Sequence, residues 1–269
     1  MGVRKARVER VIVYPTPEHR AAAGAIVEYF SSCRDVEAVL LVGSTARGKA
    51  SRDSCLDICV LVKPDVLVAA EGGLTQQWTA FCESNDILRA LPKVGAYSHV
   101  DLDVIDGQFS PGYHGWTSGP DEFELEIGNY LVYGVPLWQR SDYLARLKAH
   151  WLPYYGDNLR RERLAMARRF CLNNLDHIPL FVERGLYFQS FRRLYNALGE
   201  FLQALFIARR TYPIAYDKWI REQIEDILGL PGLYRQLPPL LEIHHFESHE
   251  IADRAQDLRG LVQQYTNGQ

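Results

Sequence analysis

Between Leu40 and Val62 the chain sets Gly43-Ser44, three basic residues (Arg47, Lys49, Arg52) and two aspartates (Asp53, Asp57) among apolar runs, and a later segment adds Asp101 and Asp103. A glycine-serine turn at the start of a short helix offers backbone N–H groups and a hydroxyl to phosphate oxygens, and glycine lets a ligand approach the backbone. Cations beside such a turn neutralise phosphate charge, and Arg47, adjacent to it, is the expected one. Aspartates on neighbouring strands supply the oxygen ligands that a hard ion such as Mg²⁺ requires. The chemistry expected from this set is phosphate binding with a divalent cation, which stabilises charge as a phosphate bond breaks.

The elements that must position these groups are legible around them. Thr16 as N-cap and Pro17 at the first helical position open a helix expected over Pro17 to Cys33, with Ala22, Ile26, Tyr29 and Phe30 at helical spacing. "EAVLLV" (Glu37 to Val42) and "LDICVLV" (Leu56 to Val62) read as strands. A helix carrying Leu74, Trp78, Phe81, Leu88 and Leu91 fills the gap before "YSHVDLDVID", where His99, Asp101 and Asp103 alternate with Val100, Leu102 and Val104. That alternation gives a strand with one polar and one apolar face. Gly107 to Pro120, rich in glycine, proline and aromatics, reads as a long mobile loop beside the polar face. After "YLVYGVPLWQR" the strand signals fade, and long helices are expected over Asp157 to Leu175, Leu186 to Arg209, Asp217 to Leu228 and Ile251 to Tyr265.

With 269 residues, 47% of them apolar, the chain can bury one large core or two ordinary ones. A net charge of −3 provides no whole-protein attraction to nucleic acid or anionic membranes. Five scattered cysteines without a C-x-x-C pair read as reduced thiols, and the N-terminus lacks the apolar core of a secretory leader. A cytoplasmic protein with no membrane segment is expected.

The stretch from the first strand to Asp57 resembles the signature of the DNA polymerase β-like nucleotidyltransferase superfamily: an apolar strand, Gly-Ser, a basic loop, then a D-S-D-h-D run, here Asp53-Ser54-Cys55-Leu56-Asp57. "VDLDV" is similar to the superfamily's third-carboxylate strand, with Asp101 in the matching place, and "YLVYGVPLW" to the stretch that closes the catalytic domain. "YNALGEFLQALF" and "YPIAYDKW" resemble the helical domain of aminoglycoside and lincosamide nucleotidyltransferases. The fold so implied is α+β: an N-terminal nucleotidyltransferase α/β domain with a small mixed sheet over residues 1–140, then a C-terminal α-helical bundle over 141–269 that binds the acceptor.

The resemblance implies Mg²⁺-dependent transfer of a nucleoside monophosphate, AMP from ATP or the equivalent from another NTP, to a hydroxyl of a small-molecule acceptor such as an antibiotic. Asp53, Asp57 and Asp101 are the expected metal ligands, with two ions in the site. Asp57, Asp101 and Asp103 form the catalytic set, Asp103 being the candidate general base, and Gly43, Ser44, Arg47 and Lys218 hold the nucleotide. A long nucleic-acid substrate is not expected, and a homodimer is one assembly open to the chain.

Cys55 breaks the pattern, because a thiol is a poor Mg²⁺ ligand where the superfamily has carboxylate. Three accounts compete: Asp53 stands in; catalysis is lost while nucleotide binding is kept, leaving a regulatory protein; or the enzyme is slow. Elsewhere, His245 and His249 have the spacing of a zinc pair but read as a surface cluster, and Arg160, Arg161, Arg163, Arg168 and Arg169 read as a solvated helix face.

Overall fold

Residues 12–70, 73–112 and 115–266 are described by a computed structural model, and the basic N-terminal stretch through residue 11 lies outside them. Helix α1 (Pro17–Ser32) starts as the sequence indicates, with the Thr16 hydroxyl accepting from the His19 N–H. It is followed by β1 (Val36–Leu41), the short α2 (Gly43–Ala46) and β2 (Leu56–Val62). Three helices, α3 (Pro64–Ala70), α4 (Gly73–Ser84) and α5 (Asp86–Ala90), cross to β3 (Val100–Ile105). The single helix expected in this gap is divided because the Asn85 side chain accepts from the Ile87 and Leu88 N–H groups and caps a new helix.

Next come α6 (Phe123–Ile127), β4 (Val135–Gln139), α7 (Tyr143–Trp151), α8 (Asp157–Glu183), α9 (Tyr187–Ala208), α10 (Pro231–Tyr234) and α11 (Glu250–Thr266). The chain is α+β, with a small mixed sheet in its N-terminal region and helices after it. Among the described residues no helix is long and apolar enough to cross a membrane.

The sheet runs β3-β2-β1-β4, with β2 parallel to β3 and antiparallel to β1. One face is apolar: Leu56, Ile58, Val60, Val62, Val39 and Leu41 pack with Ala22, Ile26 and Phe30 of α1. Tyr29 stacks on Phe81 at 4.2 Å between ring centroids and Phe30 on Trp78 at 5.4 Å, which anchors α4 to α1. The fourth strand is fixed by Arg140, whose guanidinium donates to the carbonyls of Val36, Ser31 and Cys33. Glu37, buried in β1, keeps its charge through Lys63 at 3.1 Å and the Ser141 hydroxyl.

The chain forms two compact units, residues 1–108 with 129–149, and 109–128 with 150–269. In the second unit α8, α9 and α11 build a core around Phe201, Phe206, Leu194 and Leu258. Helix α8 continues past Leu175 and through Pro179 because Ile178 and Val182, on either side of the proline, are buried in that core.

The segment read as a mobile loop is held onto this unit. Trp116 meets Phe170 edge-on at 5.0 Å, Asn196 donates to the Thr117 carbonyl, and Pro120 covers Gly199. The basic stretch of α8 is not uniformly solvated either. Arg163 is buried and pairs with Asp121 and Glu124, both at 2.6 Å, while Gln203 donates to the same carboxylates.

Candidate active site

The parallel register sets Asp57 directly against Asp101 and Cys59 against Asp103. Side chains in register on parallel strands share a face, so the two carboxylates expected to hold metal lie side by side. Asp57 is next to the turn after β1, where the Val42 N–H donates to the Asp57 carbonyl at 3.0 Å. Gly43 follows with φ of +63°, and a Cβ there would stand 1.8 Å from Asp57 Oδ2. Only glycine satisfies both the left-handed backbone and the carboxylate lying over it.

Ser44 sits in the first turn of α2, and its carbonyl accepts from the Lys49 N–H, which closes the basic loop. Arg47 turns back and donates from a guanidinium nitrogen to the Gly43 carbonyl at 3.1 Å. That bond holds its charge at the turn.

Cys55 precedes the first residue of β2, yet its Sγ donates to Asp57 Oδ1 at 3.0 Å. Burial first, then the hydrogen bond to Asp57 and the negative charges of Asp57 and Asp101, push the thiol pKa up to about 12, so at neutral pH it carries its proton. One donor atom from each of Cys55, Asp57 and Asp101 lies within 4.8 Å of the other two. Among the described residues no other trio of His, Cys, Asp and Glu meets that condition.

Around this cluster, His99 Nε2 contacts Asp101 Oδ1 at 3.0 Å, and the Tyr130 hydroxyl donates to Asp103 Oδ2 at 3.1 Å. Asp53 is placed elsewhere. Its Oδ1 accepts from the Ala96 N–H at 3.0 Å, and beside it the Arg52 carbonyl accepts from the Ser98 hydroxyl at 2.6 Å, tying the loop before β2 to the loop before β3. Because β2 begins only at Leu56, the two-residue period of a strand does not carry back to position 53.

His19 also supports the site, and nothing in its local sequence pattern marks it. Fully buried, it links the Thr16 hydroxyl at 2.9 Å to the Ser54 carbonyl at 3.0 Å, fixing the backbone just before Cys55. The signal available to sequence reading was a histidine in the first turn of a capped helix, which reads as a surface residue.

Lys218 belongs to the second unit. Its backbone is held from within: the side-chain amide of the buried Gln223 donates to the carbonyls of Ala215 and Lys218 and accepts from the Ile214 N–H at 2.6 Å. Trp219 follows with φ of +60°, a left-handed conformation seldom taken by a non-glycine residue. Close by, Leu202, Tyr216, Asp217, Ile220 and Tyr234 line a cavity of about 180 Å³.

The model of the nucleotidyltransferase domain family matches residues 24–94. That span includes Gly43, Ser44, Arg47, Asp53, Cys55 and Asp57 and ends before Asp101. No curated protein matches the sequence. Among solved structures, a nucleotidyltransferase-like protein from Exiguobacterium sibiricum is similar at 14% identity and a TM-score of 0.47, over 91% of this chain and 74% of that one. With a glycine turn under one carboxylate and a second carboxylate in register beside it, residues 24–94 are a nucleotidyltransferase domain of the DNA polymerase β-like superfamily.

Proposed function

We propose that the chain transfers a nucleoside monophosphate, AMP from ATP, to a hydroxyl of a small-molecule acceptor such as an antibiotic, in the cytoplasm. The observation that carries this reading is the pairing of Asp57 with Asp101 beside the Gly43-Ser44 turn. A net charge of −3 favours a small acceptor over a long nucleic acid, because a polynucleotide substrate is held mainly through its phosphates. Functionally, residues 1–140 would supply the catalytic groups and residues 141–269 the acceptor groups.

The donor set fits one Mg²⁺ better than two. Asp57 and Asp101 would hold the ion through carboxylate oxygens, as a hard cation requires, whereas a second position formed around Cys55 would place sulfur on it. When bound, the ion neutralises charge that builds on the α-phosphate and on the departing pyrophosphate. Ser44 and the N–H groups at the start of α2 hold the phosphates, with Arg47 beside them. Asp103 takes the proton of the acceptor hydroxyl as its oxygen forms a bond to the α-phosphorus. The bond from that phosphorus to pyrophosphate breaks, and Tyr130 keeps the Asp103 carboxylate in place.

A second reading, a nucleotide-binding regulatory protein without catalysis, is favoured by one observation: the Cys55 thiol occupies an oxygen of Asp57. Incubating the full chain with labelled ATP, a divalent ion and panels of aminoglycosides, lincosamides, tRNA and protein separates the two. The first reading expects a labelled small molecule together with pyrophosphate. Nucleotide binding with no product under any divalent ion overturns it in favour of the second.

A further inference from the structure

We infer that the Cys55–Asp57–Asp101 cluster selects a thiophilic divalent cation, Zn²⁺ or Cd²⁺, over Mg²⁺, through one thiolate and two carboxylates. The inference rests on the functional reading of the same site and concerns which ion that site prefers. Three donor atoms from three chain positions already lie within 4.8 Å of one another. On a tetrahedral ion with Zn–S of about 2.3 Å and Zn–O of about 2.1 Å, sulfur and oxygen stand about 3.6 Å apart. The 3.0 Å between Cys55 Sγ and Asp57 Oδ1 and the 4.8 Å limit of the cluster bracket that spacing. Small side-chain adjustments are enough to close the site.

Each donor is also held from behind. The Ser54 carbonyl, one residue before Cys55, is fixed by His19 Nε2; Asp57 lies over Gly43; and Asp101 is contacted by His99 Nε2. Outer contacts of this kind orient ligands and raise metal affinity. The set of one sulfur and two carboxylates, with water as a fourth ligand, is a zinc-type donor set, whereas Mg²⁺ demands oxygen alone. The cation enters the position of the proton between Cys55 and Asp57. The thiol proton passes to buffer, a sulfur–metal bond forms, and nothing is oxidised or reduced.

The test uses the full chain freed of metal by a chelator and titrated with Co²⁺ or Cd²⁺, following the thiolate-to-metal charge-transfer absorption. One equivalent should produce the band, Zn²⁺ should displace Co²⁺, and a large excess of Mg²⁺ should not. Cys55→Ser should abolish the band and lower Cd²⁺ affinity on the order of a hundredfold, while leaving the other four cysteines in place. Asp101→Asn, at an exposed position, provides a variant with little risk to folding; it should keep the band and weaken the affinity on the order of tenfold.

Absence of a band at saturating Co²⁺ and Cd²⁺, its persistence in Cys55→Ser, or its removal by Mg²⁺ overturns the inference. A Cys55-dependent band in a protein without transferase activity supports the metal preference and counts against the functional reading. Transfer with Mg²⁺ and no band does the reverse.

Discussion

The thiol of Cys55 and the carboxylate of Asp57 are joined by a hydrogen bond of 3.0 Å, on the opposite oxygen from the one that covers Gly43. Both oxygens of the central aspartate are therefore constrained, one by a proton and one by a backbone without a side chain. The competence of the site depends on what replaces that proton.

Gly43→Ala places a methyl group 1.8 Å from Asp57 Oδ2, on a backbone with φ of +63°. The left-handed conformation alone costs about 1–2 kcal/mol for a residue with a Cβ, and displacement of Asp57 adds to it. Chemical denaturation should show a loss of at least that size, with divalent-ion affinity falling in the same variant.

Asp53→Asn keeps an oxygen to accept from the Ala96 N–H, so the clamp between the two loops should survive. Divalent-ion affinity, measured calorimetrically, should be unchanged. A marked loss would mean that Asp53 leaves the clamp to act as a ligand.

The distinction between Asp53 and Asp57 shows where the sequence was readable and where it was not. Alternation over residues 99–104 identified a two-faced strand, and the Gly-Ser turn pointed to the place where Gly43 lies under Asp57, because both signals are local. The first residue of β2 is decided by pairing with β3, which no local pattern records, and it determines that Asp53 faces the 94–98 loop. Arg163 was obscured for the same reason. Its partners lie 42 and 39 residues away, at Asp121 and Glu124, so a run of arginines looks solvated until those carboxylates are in place. His19 acts on Ser54 across 35 residues, and Pro136 within "VPLWQ" weakened the signal of the fourth strand.

Arg163→Met should be strongly destabilising, because the fully buried Glu124 would lose its charged partner. Breaking a buried pair from one side costs about 3–5 kcal/mol. Urea denaturation of this variant, compared with a variant that also carries Glu124→Gln, should show part of the loss recovered in the double variant.

Glu200 is buried in α9, where Asn174 donates to its Oε2 at 2.8 Å, and burial pushes its carboxyl up to about 8. The folded state therefore holds a proton that the unfolded chain releases near its ordinary value of 4.5. With more protons bound in the native state, stability is fully present below about pH 4.5 and declines as pH rises towards about 8. Denaturation midpoints across that window should fall with pH in the parent, and Glu200→Gln, which keeps an oxygen for Asn174, should flatten the slope.

The most direct measurement is nucleotidyl transfer and Mg²⁺ affinity in Cys55→Asp beside the parent. A carboxylate at position 55 would complete an all-oxygen set with Asp57 and Asp101, so Mg²⁺ should bind more tightly. Transfer should rise on the order of tenfold or more, equivalent to about 1.4 kcal/mol of transition-state stabilisation. Adding Asp57→Asn to that variant should reduce transfer on the order of 10²–10³-fold, the scale on which one preorganised electrostatic group acts. A correctly folded Cys55→Asp protein with unchanged Mg²⁺ affinity and unchanged transfer would contradict the assignment of this cluster as the nucleotidyl-transfer centre.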